Sequence, residues 1–164
     1  TVLTGKNLTL SGSISSTGDL YKNGSGTLFL RGVNTYTGDT YIESAELSIA
    51  SASSGLGTGT VYISGGATLA SSVNGLSISN PISLLGNVNF SVSSGNTLTL
   101  AGIIAGDFDL NKSGSGTLIL SNTNTIVEIP LFLRELSRLA LIPLYLLSAV
   151  HLVQELLVFL MAQR

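Results

Sequence analysis

Apolar and polar residues alternate along most of this chain in short runs. Asn7-Leu-Thr-Leu10, Thr27-Leu-Phe-Leu30, Thr40-Tyr-Ile-Glu43, Leu47-Ser-Ile49, Thr60-Val-Tyr-Ile63, Ala67-Thr-Leu69, Leu76-Ser-Ile78, Ile82-Ser-Leu84, Val88-Asn-Phe-Ser-Val92 and Thr97-Leu-Thr-Leu100 each place their apolar set at every second position. Period two puts that set on one face of an extended strand. Shorter apolar points fall at Ile14 and at Leu20-Tyr21, and Ala50-Ser-Ala-Ser-Ser54 reads as a loop. Pro81 cannot donate to a ladder and is expected at a strand start or bend. Gly24, Gly26, Gly32 and Gly38 punctuate the region from Lys22 to Ile49, where positive φ angles at sharp corners would favour glycine. Strands separated by about 8–12 residues suit a sandwich, a barrel or a solenoid.

An internal repeat selects the solenoid. Gly5 to Thr35 aligns with Gly95 to Thr125 without a gap at an offset of 90, with 17 of 31 positions identical. Leu8-Thr-Leu10 falls on Leu98-Thr-Leu100, Asp19-Leu20 on Asp109-Leu110, Gly24-Ser-Gly-Thr-Leu28 on Gly114-Ser-Gly-Thr-Leu118, and Asn34-Thr35 on Asn124-Thr125. A long repeat made of shorter, similar strands fits coils stacked along one axis. At roughly 20–25 residues per coil, residues 1–125 make about five or six. The prediction is an all-β, right-handed parallel β-helix with its inward Leu, Ile and Val stacked in a narrow core.

Composition then divides the chain. All 19 glycines lie between Gly5 and Gly116, whereas 12 of the 39 residues from Ile126 to Arg164 are leucine. The expected domains are 1–125, the repeats, and 126–164, a leucine-rich helical tail. Arg134, Arg138, Ser148, His151 and Glu155 are spaced near the helical period, with Leu141 and Tyr145 bridging them. Pro130 suits a first turn, and Pro143 should kink or break the helix. The charge-free run from Leu139 to Val150 is too short to span a bilayer. Such a tail would cap the open end of the solenoid or associate with membrane or other chains.

Charge and candidate chemistry exclude more than they suggest. The net charge is −2 and only 10% of residues are charged, so there is no basic field for nucleic acid. Cysteine is absent, which removes disulfides and thiolate metal sites. His151, the single histidine, lies in the tail, so no Ser-His-Asp arrangement forms in the repeats. Asp107 and Asp109 would share a strand face and could pair as acid and base or hold calcium, but a solvated turn explains them better. Glu43 and Glu46 read the same way. The loops Gly24-Ser-Gly26 and Gly114-Ser-Gly116 lack the following Gly-Lys-Ser/Thr of a phosphate cradle and read as corners. Tyr21, Tyr36, Tyr41 and Tyr62 form either an exposed aromatic stripe for sugar or protein contact or ordinary strand packing. Asn34 and Asn124 would hydrogen-bond along a turn. No catalytic, cofactor or metal residue is expected, and the chain is read as no enzyme.

The ordered series Lys22-Asn-Gly-Ser-Gly-Thr-Leu28, Leu30-Arg-Gly-Val-Asn-Thr-Tyr-Thr-Gly38, Thr40-Tyr-Ile42 and Leu47-Ser-Ile49 resembles the autotransporter-associated β-strand repeat of secreted bacterial surface proteins. Leu56-Gly-Thr-Gly-Thr-Val-Tyr-Ile-Ser-Gly-Gly-Ala-Thr-Leu69 and Ile78-Ser-Asn-Pro-Ile-Ser-Leu84 look like phrases common between such repeats. The resemblance covers about Thr1 to Thr125, and Ala45-Glu46 departs from it where the family has Gly and a polar residue. It implies a passenger segment, a stalk or adhesin on a Gram-negative cell surface. Its partners would be an outer-membrane translocator barrel outside this chain and host surfaces or neighbouring cells. Starting at Thr1 with no signal-peptide pattern, the chain is expected to be a fragment or processed product. Two rival readings are a β-helix polysaccharide-processing enzyme, which needs clustered Asp, Arg or Lys on one face, and a membrane-anchored solenoid.

The pattern stops at Thr125, where the equivalent of Tyr36-Thr-Gly-Asp-Thr40 should begin. Codons for Ile126 to Leu131, read after restoring one lost nucleotide, permit Tyr-Ser-Gly-Asn-Thr-Thr, and those for Phe132 to Ser137 permit Val-Ser-Ala-Gly-Thr-Leu. The tail is therefore read as a frameshift product. Sequencing the DNA from codon 115 onward should show further repeats in the shifted frame; stop codons or unrelated sequence there would mean that the tail was selected as it stands.

Overall fold

In a computed structural model, residues 1–51 and 55–126 are described, and they form an all-β parallel solenoid of six turns. The first turn holds β1 (Asn7–Leu10) and β2 (Leu20–Lys22), the second β3 (Thr27–Leu30) and β4 (Thr40–Ile42), and the third β5 (Glu46–Ile49) and β6 (Val61–Ser64). Three strands make each later turn: β7 (Thr68–Ser71), β8 (Leu76–Ile78) and β9 (Ile82–Leu85); β10 (Val88–Val92), β11 (Thr97–Leu100) and β12 (Ile104–Gly106); β13 (Leu110–Ser113), β14 (Thr117–Leu120) and β15 (Thr125–Ile126). The expected helical tail lies outside the described residues except for Ile126, which is in β15 and registers with Gly106.

The strands stack into three faces. One runs β1-β3-β5-β7-β10-β13, the second β2-β4-β6-β9-β12-β15, and the third β8-β11-β14. Every pairing is parallel, and successive turns take 19 residues (Leu28 to Leu47) to 22 (Leu47 to Leu69). Pro81 stands immediately before β9, where its carbonyl still accepts the Val61 N–H at 2.8 Å. The alternation buries one side of each strand: Leu28, Leu47, Leu69 and Phe90 form one inward column, Ile42, Ile63 and Leu84 another, and all are at most 4% exposed. Burial needs a turn on both sides. Leu8 in the first turn is 44% exposed and Leu120 in the sixth 41%, while their partners Leu28 and Leu100 are at 4% and 0%.

The 90-residue repeat is not in phase with the faces. β1 lies on the first face, and its copy β11 on the third; β2 lies on the second, and its copy β13 on the first. In chain order each turn visits the first, third and second faces, so each copy has advanced four turns and one face.

Glycine serves this packing in a way different from the expectation. Of Gly24, Gly26, Gly32 and Gly38, only Gly24 has a positive φ, at 80°. At Gly32 a Cβ would fall on the carbonyl of Gly12 in the preceding turn, and at Gly38 on the carbonyl of Gly18. These glycines let backbone meet backbone. The atypical corner at Ala45 keeps a left-handed backbone, with φ 54°, which a side chain tolerates at a cost of about 1 kcal/mol.

This contrast makes a stability test. Gly32→Ala should lower unfolding stability by about 1–3 kcal/mol, as overpacking does. Gly12→Ala, with open space around its Cβ, should change it by less than about 0.5 kcal/mol. Denaturant melts of both variants decide; equal small effects would mean that the turns separate easily.

Candidate functional site

The outer side of the second face carries the one ordered aromatic array among the described residues. Tyr21, Tyr41 and Tyr62 occupy the same position in β2, β4 and β6, so the parallel register lays their rings on one another. Ring centroids are 4.6 Å apart between Tyr21 and Tyr41 and 4.8 Å between Tyr41 and Tyr62, with planes within 8°. These separations match the distance between hydrogen-bonded strands. Beyond Tyr62 the column continues as Ser83 and Ala105. Tyr21 is 51% exposed.

Carboxylates run beside this column. Asp19 Oδ1 accepts the Asp39 N–H at 2.8 Å, and Asp39 Oδ1 accepts the Thr60 N–H at 2.8 Å, each bond joining consecutive turns. The Tyr21 hydroxyl donates to Asp19 Oδ2 at 3.5 Å. Partial desolvation first, then Asp19, Glu43 and Asp39, hold the Tyr21 phenol above the ordinary tyrosine value. Tyr41 is raised in the same way, by desolvation first and then chiefly by Asp39.

Tyr36 does not join this stripe. It is buried, with its hydroxyl 2.6 Å from Thr40 Oγ1 and its ring against the backbone of Gly57. Asn34 and Asn124 do not bond along a turn; each joins turns. Asn34 Oδ1 accepts the Ile14 N–H at 2.9 Å and its amide donates to the Gly55 carbonyl at 2.8 Å; Asn124 Oδ1 accepts the Ile104 N–H at 3.0 Å. Asp107 and Asp109 are in the corner between β12 and β13 rather than on a strand face. Asp109 exchanges hydrogen bonds with Asn87 at 3.1 and 3.2 Å. Glu43 ends the β4 edge of the tyrosine column, and Glu46 starts β5. Gly24 and Gly114 turn corners with φ of 80° and 71°. His151 lies outside the described residues, among which no group of three His, Asp or Glu could hold a metal.

Two features escaped the sequence reading. Lys22 faces inward at 1% exposure, and its ammonium donates to the carbonyls of Gly24 and Ser44, both at 2.9 Å. Burial pushes its pKa down, and Glu46 partly offsets this. The signal was present in the repeat, because Lys112 donates to Gly114 O at 2.7 Å in the same way. Asn80 is the second, with its amide on the carbonyls of Leu56, Gly57 and Gly59 of the preceding turn at 2.7–3.3 Å. Among the described residues, no buried side-chain polar atom lacks a hydrogen-bond partner. Asn34, Asn80, Asp19, Asp39 and Lys22 are engaged in holding turns together.

An all-parallel solenoid whose turns are joined by side-chain hydrogen bonds is the architecture of a repeat domain. Residues 20–49 and 110–126 match the passenger-associated-transport-repeat family, so these two stretches of the solenoid are repeats of that family. The chain is also 35% identical over 137 residues to the adhesin BmaC autotransporter of Brucella suis biovar 1 (strain 1330), an alignment covering 74% of this chain. It spans about 4% of that protein's length. No solved structure matches the chain.

Tyr36 also sets a pH limit. Burial raises its phenol above the ordinary 10.0, although the Thr40 hydrogen bond pulls the other way. A raised folded pKa gives stability that is fully present below pH 10.0 and is lost as pH rises through the folded value. Lys22, shifted down, works in the opposite sense, because deprotonation relieves its burial penalty. The melting temperature should therefore fall above pH 10, and Tyr36→Phe should flatten the fall relative to wild type. An unchanged profile in that variant would remove Tyr36 as the cause.

Proposed function

We propose that this solenoid is a non-enzymatic segment of an autotransporter passenger, acting as a surface stalk or as part of an adhesive surface. The observation that carries the reading is the uninterrupted six-turn parallel stack, whose polar groups are used between turns. Such a body is stiff along its axis and grows by adding turns. The segment sits outside the cell, in a protein tied to the Gram-negative outer membrane through a translocator barrel. Host surfaces or neighbouring cells are its partners in this reading, which the similarity to a Brucella adhesin supports. We take the coil to be right-handed, the hand of about 98% of parallel strand crossovers. We take the tail, residues 126–164, to be out of frame and to have no part in this role.

The polysaccharide-processing reading finds little support. Lys22 is spent on backbone carbonyls, and Lys6, Arg31 and Lys112 lie in the first, second and sixth turns.

On intact cells of the source bacterium, antibody against residues 1–126 should label the surface, and external protease should remove the label. In-frame removal of the segment should leave the passenger exported while attachment to host cells or between bacteria falls. Label that appears only after permeabilisation would overturn the surface assignment. Turnover of pectin-like polymers by the purified chain would overturn the non-enzymatic one.

A further inference from the structure

The stacked tyrosines are the least explained feature of the solenoid. The inter-turn hydrogen bonds and the aliphatic core already fix the register, so the column is not needed for it. Its geometry has a chemical consequence, because two phenols held face to face at 4.6 Å, Tyr21 exposed and Tyr41 half-buried, are a preformed radical pair once each loses an electron. We propose that Tyr21 and Tyr41 are a site of oxidative cross-linking, forming a dityrosine bond between the first two turns when the surface meets a one-electron oxidant of the peroxide-driven haem type.

Each phenol gives up one electron and its hydroxyl proton, producing two phenoxyl radicals. Their ortho carbons join, one C–C bond forms, and the two ortho hydrogens leave as protons while both hydroxyls are restored. The net change is loss of two hydrogen atoms from the protein and reduction of one hydrogen peroxide to two waters. The Asp19 carboxylate, 3.5 Å from the Tyr21 hydroxyl, is placed to take that phenol's proton as the electron departs. Asp39 and Glu43 contribute negative charge beside the same rings, which eases removal of an electron from them.

Position gives the bond a purpose. Neighbouring turns are otherwise held to one another by hydrogen bonds and packing. A covalent link from Tyr21 to Tyr41 closes a loop of one turn and ties the first described turn to the second. Tyr41 and Tyr62, at 4.8 Å, offer the same chemistry one turn further on; a single dityrosine can use Tyr41 only once. Tyr36 is enclosed and takes no part.

The test treats the purified full-length chain, at a concentration where it is monomeric, with a haem peroxidase and limiting hydrogen peroxide. Expected are blue dityrosine fluorescence, a monomer mass lowered by two hydrogens, and, after cleavage at Lys, Arg and Glu, fragment 7–22 joined to fragment 32–43. Tandem mass spectrometry should place the bond on Tyr41 and not Tyr36. The cross-linked monomer should melt at a higher temperature than the untreated chain. Tyr41→Phe should lose most intramolecular product, and Tyr21→Phe should redirect it to Tyr41 and Tyr62. The wild-type map alone decides if a variant fails to fold. Cross-links only between chains, hydroxylated tyrosine without coupling, or coupling through Tyr36 or Tyr145 would each overturn the proposal.

Discussion

Everything in this solenoid depends on how closely one turn can lie on the next. Parallel strands hydrogen-bond at a fixed spacing of about 4.8 Å, and the corners keep the same spacing, with backbone bonds between turns such as Thr35 N–H to the Ile14 carbonyl and Thr58 N–H to the Tyr36 carbonyl. Side chains cannot fit between corner backbones at that distance. Gly32 over Gly12 and Gly38 over Gly18 meet the requirement by having no Cβ. Asn34, Asn80, Asp19 and Asp39 add side-chain bonds at the corners, each reaching a backbone group about one turn away. The aliphatic columns follow from this spacing, since residues in register are forced into contact along the axis.

The same spacing explains what could be read from sequence. Leu28, Leu47 and Leu69 were legible because period two names the inward face without knowledge of the neighbours. Glycine positions were legible too, but their cause was not, because φ is a local property and the clash at Gly32 involves a residue 20 positions earlier. Lys22 looked like one scattered cation; the Ser44 carbonyl that makes it a clamp arrives only with the following turn. Tyr36 and Tyr41 could not be told apart by residue type. Tyr41 belongs to a strand whose outward side faces solvent, while Tyr36 lies in a connection that folds under Gly57.

The candidate site was partly visible in the same way. Three of the four tyrosines singled out do form the outer column, since alternation placed Tyr21, Tyr41 and Tyr62 opposite inward aliphatics. The acidic partners Asp19 and Asp39 were hidden, because a turn aspartate and a rung of an inter-turn ladder have the same sequence signature. Asp107 and Asp109 fall in the corner after the strand that ends at Gly106, in keeping with the turn preferred for them over a shared strand face.

The mismatch between the 90-residue repeat and the faces has a geometric outcome. Each copy is displaced by four turns and one face, so a motif carried by every copy would trace a slow spiral around the rod. Three copies would bring it to all three sides before it returned to the first. A rod patterned in this way has no privileged flank: whichever side meets an opposing surface, some copy of the motif points toward it.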